Sequence, residues 1–412
     1  MRHTFISIIL IAVSVVNAAA QTDYSFEDCL GSARPYPDPT EKIAAPDSLR
    51  YVMVNHVGRH GARYPSSGKN AMLVRDILNK AVTARTITPR GRKLLTLTNK
   101  VIDLSTGRWG ALDTLGKAEQ RWLAARMGAA FPKLFEHGRV NAISSYVPRC
   151  IMSMYEFTHQ LTRQNNRVEI YTSSGRQNNS LMRFFEDNEP YKALVASAEI
   201  QNVLSQFADS VIPAGMLAKY TGRGFDTEGV DQTEALMAIY SVLAGTAAME
   251  LSCNISDYMS REDFNALWSV FNFRQYLTHS ASAISDLPAQ ISKPLLLDLI
   301  ATTDSFIGGA DIAPVQLRFG HAETLMPLLA LIQIPDCRFT GSDFNQVADN
   351  WKDFNIVPMA ANFRLVLFKS RRGNYYVRAD LNERPVPLHS GAELYLPWEE
   401  AKSYLLLRAG LF

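Results

Sequence analysis

The chain has 412 residues, 47% of them hydrophobic and 20% charged, which is the composition of an ordinary globular protein with a full core. A formal net charge of +2 argues against a nucleic-acid binder, which would carry a basic face, but leaves room for a local basic pocket. The length allows two domains, or one with a large insertion, and neither an internal repeat nor a low-complexity tract interrupts it.

The first segment reads as a signal peptide over residues 1–20. Arg2 and His3 form a weakly basic start, residues 5–16 are apolar, and Ala18-Ala19-Ala20 gives a small-residue cleavage pattern. The apolar run is too short to span a bilayer comfortably, and no later stretch is long and uncharged enough to do so. A buried N-terminal helix is the blander alternative; the uninterrupted run and the polar, acidic segment after it favour export to the periplasm, the cell surface or the medium. Export would permit disulfides. Cys29, Cys150, Cys253 and Cys337 allow three full pairings, and free buried thiols stay open as the other outcome. Residues 21–48, rich in Pro, Asp and Ala, read as an extended lead-in.

Residues 51–57 are a short apolar run that predicts a buried strand. Directly after it stands Arg59-His60-Gly61-Ala62-Arg63-Tyr64-Pro65. An imidazole can attack phosphorus and carry the phosphoryl group. Arginine forks match phosphate oxygens and stay charged at any working pH. Gly61 lets the backbone turn sharply beside a ligand. Five fixed positions at about 5% usage each make a chance match roughly a one-in-ten-thousand event in a chain of this length, so a mere basic surface turn starts well behind.

Residues 70–78 predict a helix, and residues 110–128 contain a second, carrying Leu112 and Gly116. Residues 140–145 read as a strand running into a helix near Pro148, since proline suits a first helical turn. That junction is Ser144-Ser145-Tyr146-Val147-Pro148-Arg149-Cys150-Ile151-Met152-Ser153. Arg149 there is a cation at a helix start, where the dipole mildly disfavours it, which is a small point for function over accident. A further strand is expected over residues 168–171.

The texture then changes. Asp231-x-x-Glu234 and Ser260-x-x-Asp263 look like capping boxes ahead of helices bearing Leu236, Ile239 and Leu243, then Phe264, Leu267, Trp268 and Phe271. Strand-like sequence returns at residues 315–319, followed by Gly320-His321-Ala322-Glu323 and a helix with Leu325, Leu328, Leu329 and Ile332 on its apolar face. Residues 363–370 and 375–381 flank Arg371-Arg372-Gly373, a hairpin signal. Pro397, with Glu399 and Glu400, opens a last helix. Strands alternating with helices imply an α/β fold: a wound, mostly parallel sheet flanked by helices, with an inserted, mainly helical cap domain. The expected division is a core of residues 21–172 and 304–412, with the cap over residues 173–303.

His321 and Glu323 would sit at a strand end and a helix start, where N–H groups and dipole favour an anion. Alone, they would read as a core histidine and an ordinary helix N-terminal charge. A phosphoryl transfer from an alcohol, however, needs a proton for the departing oxygen, and a carboxylic acid can supply it.

The heptad resembles the Arg-His-Gly-x-Arg-x-Pro motif of the histidine acid phosphatases, which include phytases. The resemblance implies a phosphohistidine intermediate on His60, with Arg59 and Arg63 cradling the phosphate. Leu112 and Gly116 resemble the family's Leu-Thr-x-x-Gly-x-x-Gln pattern, with Asp113 and Glu119 in place of Thr and Gln; the segment is expected to support the core. Residues 144–153 resemble Ser-Thr-Asp-x-x-Arg-x-x-x-Ser, which makes Arg149 a third phosphate ligand, with Ser145 and Tyr146 replacing Thr and Asp. The family usually shows His-Asp where this chain has His321-Ala322-Glu323, a form similar to the multiple inositol polyphosphate phosphatase branch. It implies phosphate binding by His321 and general-acid catalysis by Glu323. Residues 181–191, 354–364 and 381–385 also resemble family segments.

The expected activity is metal-independent hydrolysis of inositol polyphosphates, inositol hexakisphosphate and its lower homologues, with no cofactor and no metal site. A broad acid or sugar phosphatase on the same scaffold is the alternative, and a non-catalytic binder of a phosphorylated ligand is the alternative of a different class. A polyphosphorylated ring needs further cations; Lys69, Arg183 and Lys192 are the candidates, while Phe184 and Phe185 read as core. The partner expected is a small phosphorylated molecule, met by a monomer.

Overall fold

The computed structural model describes residues 23–38, 45–136 and 138–411, so the leader read in residues 1–20 lies outside the described residues. Eight strands form one sheet: β1 (Leu49–Arg59), β2 (Arg139–Ser144), β3 (Glu169–Ser174), β4 (Val315–Gly320), β5 (Asn362–Ser370), β6 (Tyr375–Leu381), β7 (Arg384–Val386) and β8 (Leu396–Pro397). Their order is β3-β2-β4-β1-β5-β6-β7, with β8 also pairing β6. The first four of these neighbours are parallel; β5 then pairs antiparallel with β1, and β6, β7 and β8 continue antiparallel. The sheet is therefore mixed, with its mostly parallel core flanked by helices as the sequence predicts. Residues 362–381 form the expected hairpin around Gly373.

Burial explains which strands lie in the middle. β4 is buried along its whole length and β1 over its last seven residues, the mark of strands covered on both faces. β2 alternates between partly and fully buried positions. On one face, Leu123 and Met127 of the Thr114–Ala130 helix and Phe157 and Leu161 of the Pro148–Gln164 helix pack on Val54, Val140, Leu317 and Val366. On the other face, Leu295 and Leu299 of the Lys293–Ile307 helix share a core with Val57, Phe363 and Leu365. The Ala322–Ile332 helix joins this second face, and every residue of it except Glu323 is buried. Its expected single apolar stripe is thus too narrow a reading: the helix is apolar all round because it is covered all round.

Between β3 and β4 every described element is a helix. The predicted caps hold there: Asp231 accepts from Glu234 N–H, and Ser260 from Asp263 N–H. The Gln232–Ala244 and Arg261–His279 helices pack Leu236, Ile239, Phe264 and Trp268 against Val74, Ile77, Leu94 and Leu97. Those last two belong to a helix, Pro89–Ser105, that the hydrophobic pattern did not disclose. Its start was marked nonetheless, by Thr88 capping Gly91 N–H and by proline in the first turn. Pro397 caps the Trp398–Arg408 helix rather than lying inside it. All four cysteines are free thiols. Burial raises the thiol pKa of each, Cys150 to about 11. No helix among the described residues is long and apolar enough to cross a membrane.

Candidate active site

The parallel strands β1, β4 and β2 end side by side, and the chemistry-bearing residues follow their carboxyl ends. The ladder continues one step beyond the strands: His60 N–H donates to Gly320 O at 3.1 Å and Ser145 N–H to Phe319 O at 3.1 Å. His60, His321 and Ser145 are thereby set shoulder to shoulder, and all three are buried. The His60 and His321 rings meet edge to face with centroids 5.7 Å apart.

The His60 ring has a fixed tautomer. Its Nδ1 lies 2.9 Å from Gly61 O, a carbonyl that can only accept, so Nδ1 carries the proton and Nε2 keeps a free lone pair. Burial holds the imidazole pKa far below its ordinary value, and the charges of Arg149, Arg59 and Arg63 push the same way. A neutral, oriented imidazole is what nucleophilic attack requires.

Three arginines surround it. Arg59 Nη1 donates to Ser32 O at 2.6 Å and Val357 O at 2.5 Å, which leaves the rest of its fork uncommitted. Arg63 Nη1 donates to Tyr64 O at 2.9 Å. The Nε–H groups of Arg59, Arg63 and Arg149 are all buried and have no hydrogen-bond partner. Desolvation lowers Arg63 to about 9, reinforced by its neighbours Arg149 and Arg59, and desolvation lowers Arg59 to about 10. Mutually repelling guanidinium groups with unused buried donors form a site whose electrostatics call for an anion.

His321 completes the ring of donors. Arg183 Nη1 lies 2.8 Å from its Nε2, and Ser145 Oγ 3.1 Å from the same nitrogen. Arg183 and Arg149 can both only donate, and a neutral ring accepts on one nitrogen; the shorter Arg183 contact makes Nε2 the acceptor and leaves the proton on Nδ1. Arg149 Nη2, 3.3 Å from that Nδ1, then faces another donor and keeps its own hydrogens for a ligand. Desolvation pulls the His321 pKa to about 3. For Glu323, desolvation pushes upward, but His321, His279, a backbone N–H and Arg59 outweigh it and hold the carboxyl at about 2.

The predicted residues are not all brought together. Arg59, His60, Arg63, Arg149, His321 and Glu323 form one electrostatic unit. Arg183, one of the further cations expected for a polyphosphorylated ring, lies against His321, with its Nε donating to Glu186 Oε2 at 2.9 Å. Phe184 is core, but Phe185 stands edge-on to His321 at 6.1 Å. Lys69 is paired with Glu234 at 2.9 Å, and Lys192 with Glu189 of its own helix at 2.5 Å. Tyr146 supplies no carboxylate where the family has Asp; its hydroxyl donates to Glu186 Oε1 at 2.8 Å. Arg176 lies over the Tyr146 ring at 4.3 Å and adds a cation no motif signalled. His279, also unsignalled, faces Glu323 electrostatically from the end of the Arg261–His279 helix.

Parallel strands whose ends present a neutral histidine among arginines are an arrangement suited to a histidine phosphatase. The sequence model of the histidine phosphatase superfamily (branch 2) matches residues 52–382, and the chain belongs to that family and is a phosphoric monoester hydrolase. Among individual proteins, it is 25% identical over 394 residues to multiple inositol polyphosphate phosphatase 1 of Gallus gallus, covering 87% of this chain and 81% of that one. Its fold is similar to that of the Bifidobacterium longum multiple inositol polyphosphate phosphatase in complex with inositol hexasulfate, at TM-score 0.72 and 18% identity, over 92% of this chain and 97% of that one. The phytase from D. castellii is similar at TM-score 0.64 and 17% identity, over 93% and 85% of the two chains.

Proposed function

We propose that this protein hydrolyses inositol polyphosphates, without a metal ion, through a phosphohistidine on His60. The observation that carries this reading is a neutral imidazole with a free Nε2 in the field of three arginines, each with a buried, unpartnered Nε–H. The His60 Nε2 lone pair attacks phosphorus, the bond from phosphorus to the inositol oxygen breaks, and Glu323 gives that oxygen its proton. Gly61 O, hydrogen-bonded to Nδ1–H, stabilises the positive charge that the phosphorylated ring acquires. Glu323, now a carboxylate, takes a proton from water as that water attacks phosphorus; the N–P bond breaks and phosphate leaves. Arg59, Arg63, Arg149 and His321 Nδ1–H hold the equatorial oxygens throughout, and such preorganised donors are the usual main source of rate.

Glu323 is ionised in the ligand-free site. Its proton therefore arrives with a monoprotonated phosphate ester, whose remaining negative charge also offsets the cations that held the carboxyl low. The named activity of the chicken relative, and the cations Arg176 and Arg183 beside the phosphate ring, support a substrate bearing several phosphates. The helical stretch over residues 173–303 is then the cap that selects it. Export through the leader read in residues 1–20, and action as a monomer, belong to the same proposal.

The test is phosphate release from inositol hexakisphosphate by the purified protein with EDTA present, alongside acid-quench trapping of the phosphoenzyme. Wild type is expected to release phosphate and to trap label on histidine, and His60→Ala to do neither. Full turnover by His60→Ala would overturn the mechanism. Cleavage of aryl phosphate without cleavage of inositol hexakisphosphate would overturn the substrate.

A further inference from the structure

Residues 31–36 precede the sheet and belong to none of the motifs that carry the chemistry, yet they run directly behind the catalytic loop. Ser32 O accepts from Arg59 Nη1 at 2.6 Å. Met359 N–H donates to Arg34 O at 2.8 Å, and Ala360 N–H, the next residue, to His60 O at 3.0 Å. We propose that residues 31–36 form a strap that positions the Arg59 guanidinium and the reactive loop, and that Asp353 and Glu119 are the positioning residues that lock it.

Each lock is a buried carboxylate that uses both oxygens. Asp353, fully buried, accepts from Ser32 N–H on Oδ2 at 2.6 Å and from the Trp268 indole N–H on Oδ1 at 3.0 Å. Asn272 Oδ1 in turn accepts from Asp353 N–H at 2.9 Å. Ser32 is thus gripped through its N–H while its carbonyl grips Arg59, so the carboxylate acts on the guanidinium through a single residue. Glu119, also buried, accepts from Tyr36 N–H on Oε1 at 2.8 Å and from Ala62 N–H on Oε2 at 2.6 Å. One carboxylate therefore ties the strap to the residue two places after the nucleophile. The next side chain on that helix, Gln120, donates to Arg59 O at 3.0 Å.

The departure from the family pattern at position 119 has a chemical reason here. Two backbone N–H donors meet this side chain, and only a carboxylate accepts at both of its termini; glutamine would turn an N–H₂ toward one of them. The turn into the strap is equally specific. Gly31 has φ +58°, and a Cβ on it would lie 2.7 Å from Asp353 Oδ2, so only glycine lets the strap lie on the carboxylate.

Arg59 has a particular need for such support. Its Nη1 is committed to two uncharged carbonyls, so the plane of the fork, and the aim of its unpartnered Nε–H, follow from where Ser32 and Val357 stand. Displacing a transition-state donor by about 1 Å can cost 10²-fold in rate.

The inference rests on the proposed phosphoryl transfer, and the test separates the two. Phosphate release from p-nitrophenyl phosphate, inhibition by inorganic phosphate, and thermal melting are measured for wild type, His60→Ala, Asp353→Asn, Glu119→Gln and Trp268→Phe. If wild type has no activity that His60→Ala removes, the reaction itself is wrong. Given that activity, Asp353→Asn and Glu119→Gln are expected to lower kcat by about 10²-fold and to weaken phosphate inhibition. Both effects are expected at temperatures far below their melting points. Trp268→Phe removes a donor but leaves the Ser32 contact, so it is expected to melt earlier while keeping kcat. A kcat and phosphate affinity equal to wild type in folded Asp353→Asn and Glu119→Gln would overturn the strap, as would a kcat that tracks melting temperature alone across all three. Should Asp353→Asn not fold, Gly31→Ala disturbs the same contact with the carboxylate intact: a loss of kcat supports the strap and an unchanged kcat overturns it.

Discussion

Gly61 and Gly116 pack backbone on backbone. A Cβ on Gly61 would lie 2.3 Å from Gly116 O, and one on Gly116 would lie 2.1 Å from Ala62 O and 2.6 Å from Ala62 N. Neither obstacle is a flexible side chain, so nothing local can yield cheaply. The reactive loop is pressed onto the first turn of the Thr114–Ala130 helix, where Glu119 takes the Ala62 amide. Gly116→Ala is therefore expected to lower kcat by about 10²-fold through displacement of His60. It is also expected to cost about 1–3 kcal/mol of stability through overpacking. Phosphate-release kinetics and thermal melting on the same preparation check both, and an unchanged kcat would show that the loop does not depend on this contact.

Removing a general acid matters most when the leaving group is poor. An inositol hydroxyl leaves badly without a proton, whereas p-nitrophenolate leaves well. Glu323→Gln keeps the shape and removes the proton donor. Its kcat is expected to fall by about 10²–10⁴-fold on inositol hexakisphosphate, and far less on p-nitrophenyl phosphate. Equal losses on the two substrates would assign Glu323 to positioning instead.

What was legible in the sequence is what the chemistry forces into short spacing. Arg59, His60 and Arg63 fall within one loop, and His321 and Glu323 within one helix start, so residue type and order exposed them together. Arg149 was readable from the resemblance of residues 144–153 to a family segment, with its unfavourable place at a helix start a small added point. The supporting network was not, because its members meet only through the fold: Ser32 and Asp353 are 321 residues apart, and Arg183 and His321 138 apart. Charge alone could not tell that Lys69 and Lys192 would be paired with Glu234 and Glu189, since composition does not distinguish a free cation from a paired one. The sheet was readable from its apolar runs, and the Pro89–Ser105 helix escaped although Thr88 and Pro89 announced it.

The buried titratable groups also set how folding responds to pH. Desolvation lowers the pKa of His56, His60 and His321 far enough that the folded chain keeps these three neutral where the unfolded chain protonates them, and it lowers His279 in the same direction. Their effect is absent above the unfolded histidine value of about 6.5 and grows as pH falls below it. Desolvation raises Glu119 to about 7 and Asp353 to about 6, so both are the double-accepting carboxylates only above those values; below them the folded state holds their protons, which works in the opposite sense, and stability falls as pH rises from the unfolded carboxyl range toward those values. At about pH 5.5 the three strongly shifted imidazoles outnumber the two carboxyls, so unfolding takes up about one proton net, His279 acts in the same sense, and stability rises with pH. Glu323, held at about 2, adds a further loss below its unfolded value. The urea midpoint is therefore expected to be lower at pH 5.5 than at pH 7. His56 sits in the core, tilted against Phe157 and Phe319, so His56→Phe can replace it and should flatten the slope by about one proton. A midpoint that rises on acidification would mean that the two carboxyls, not the imidazoles, dominate the linkage.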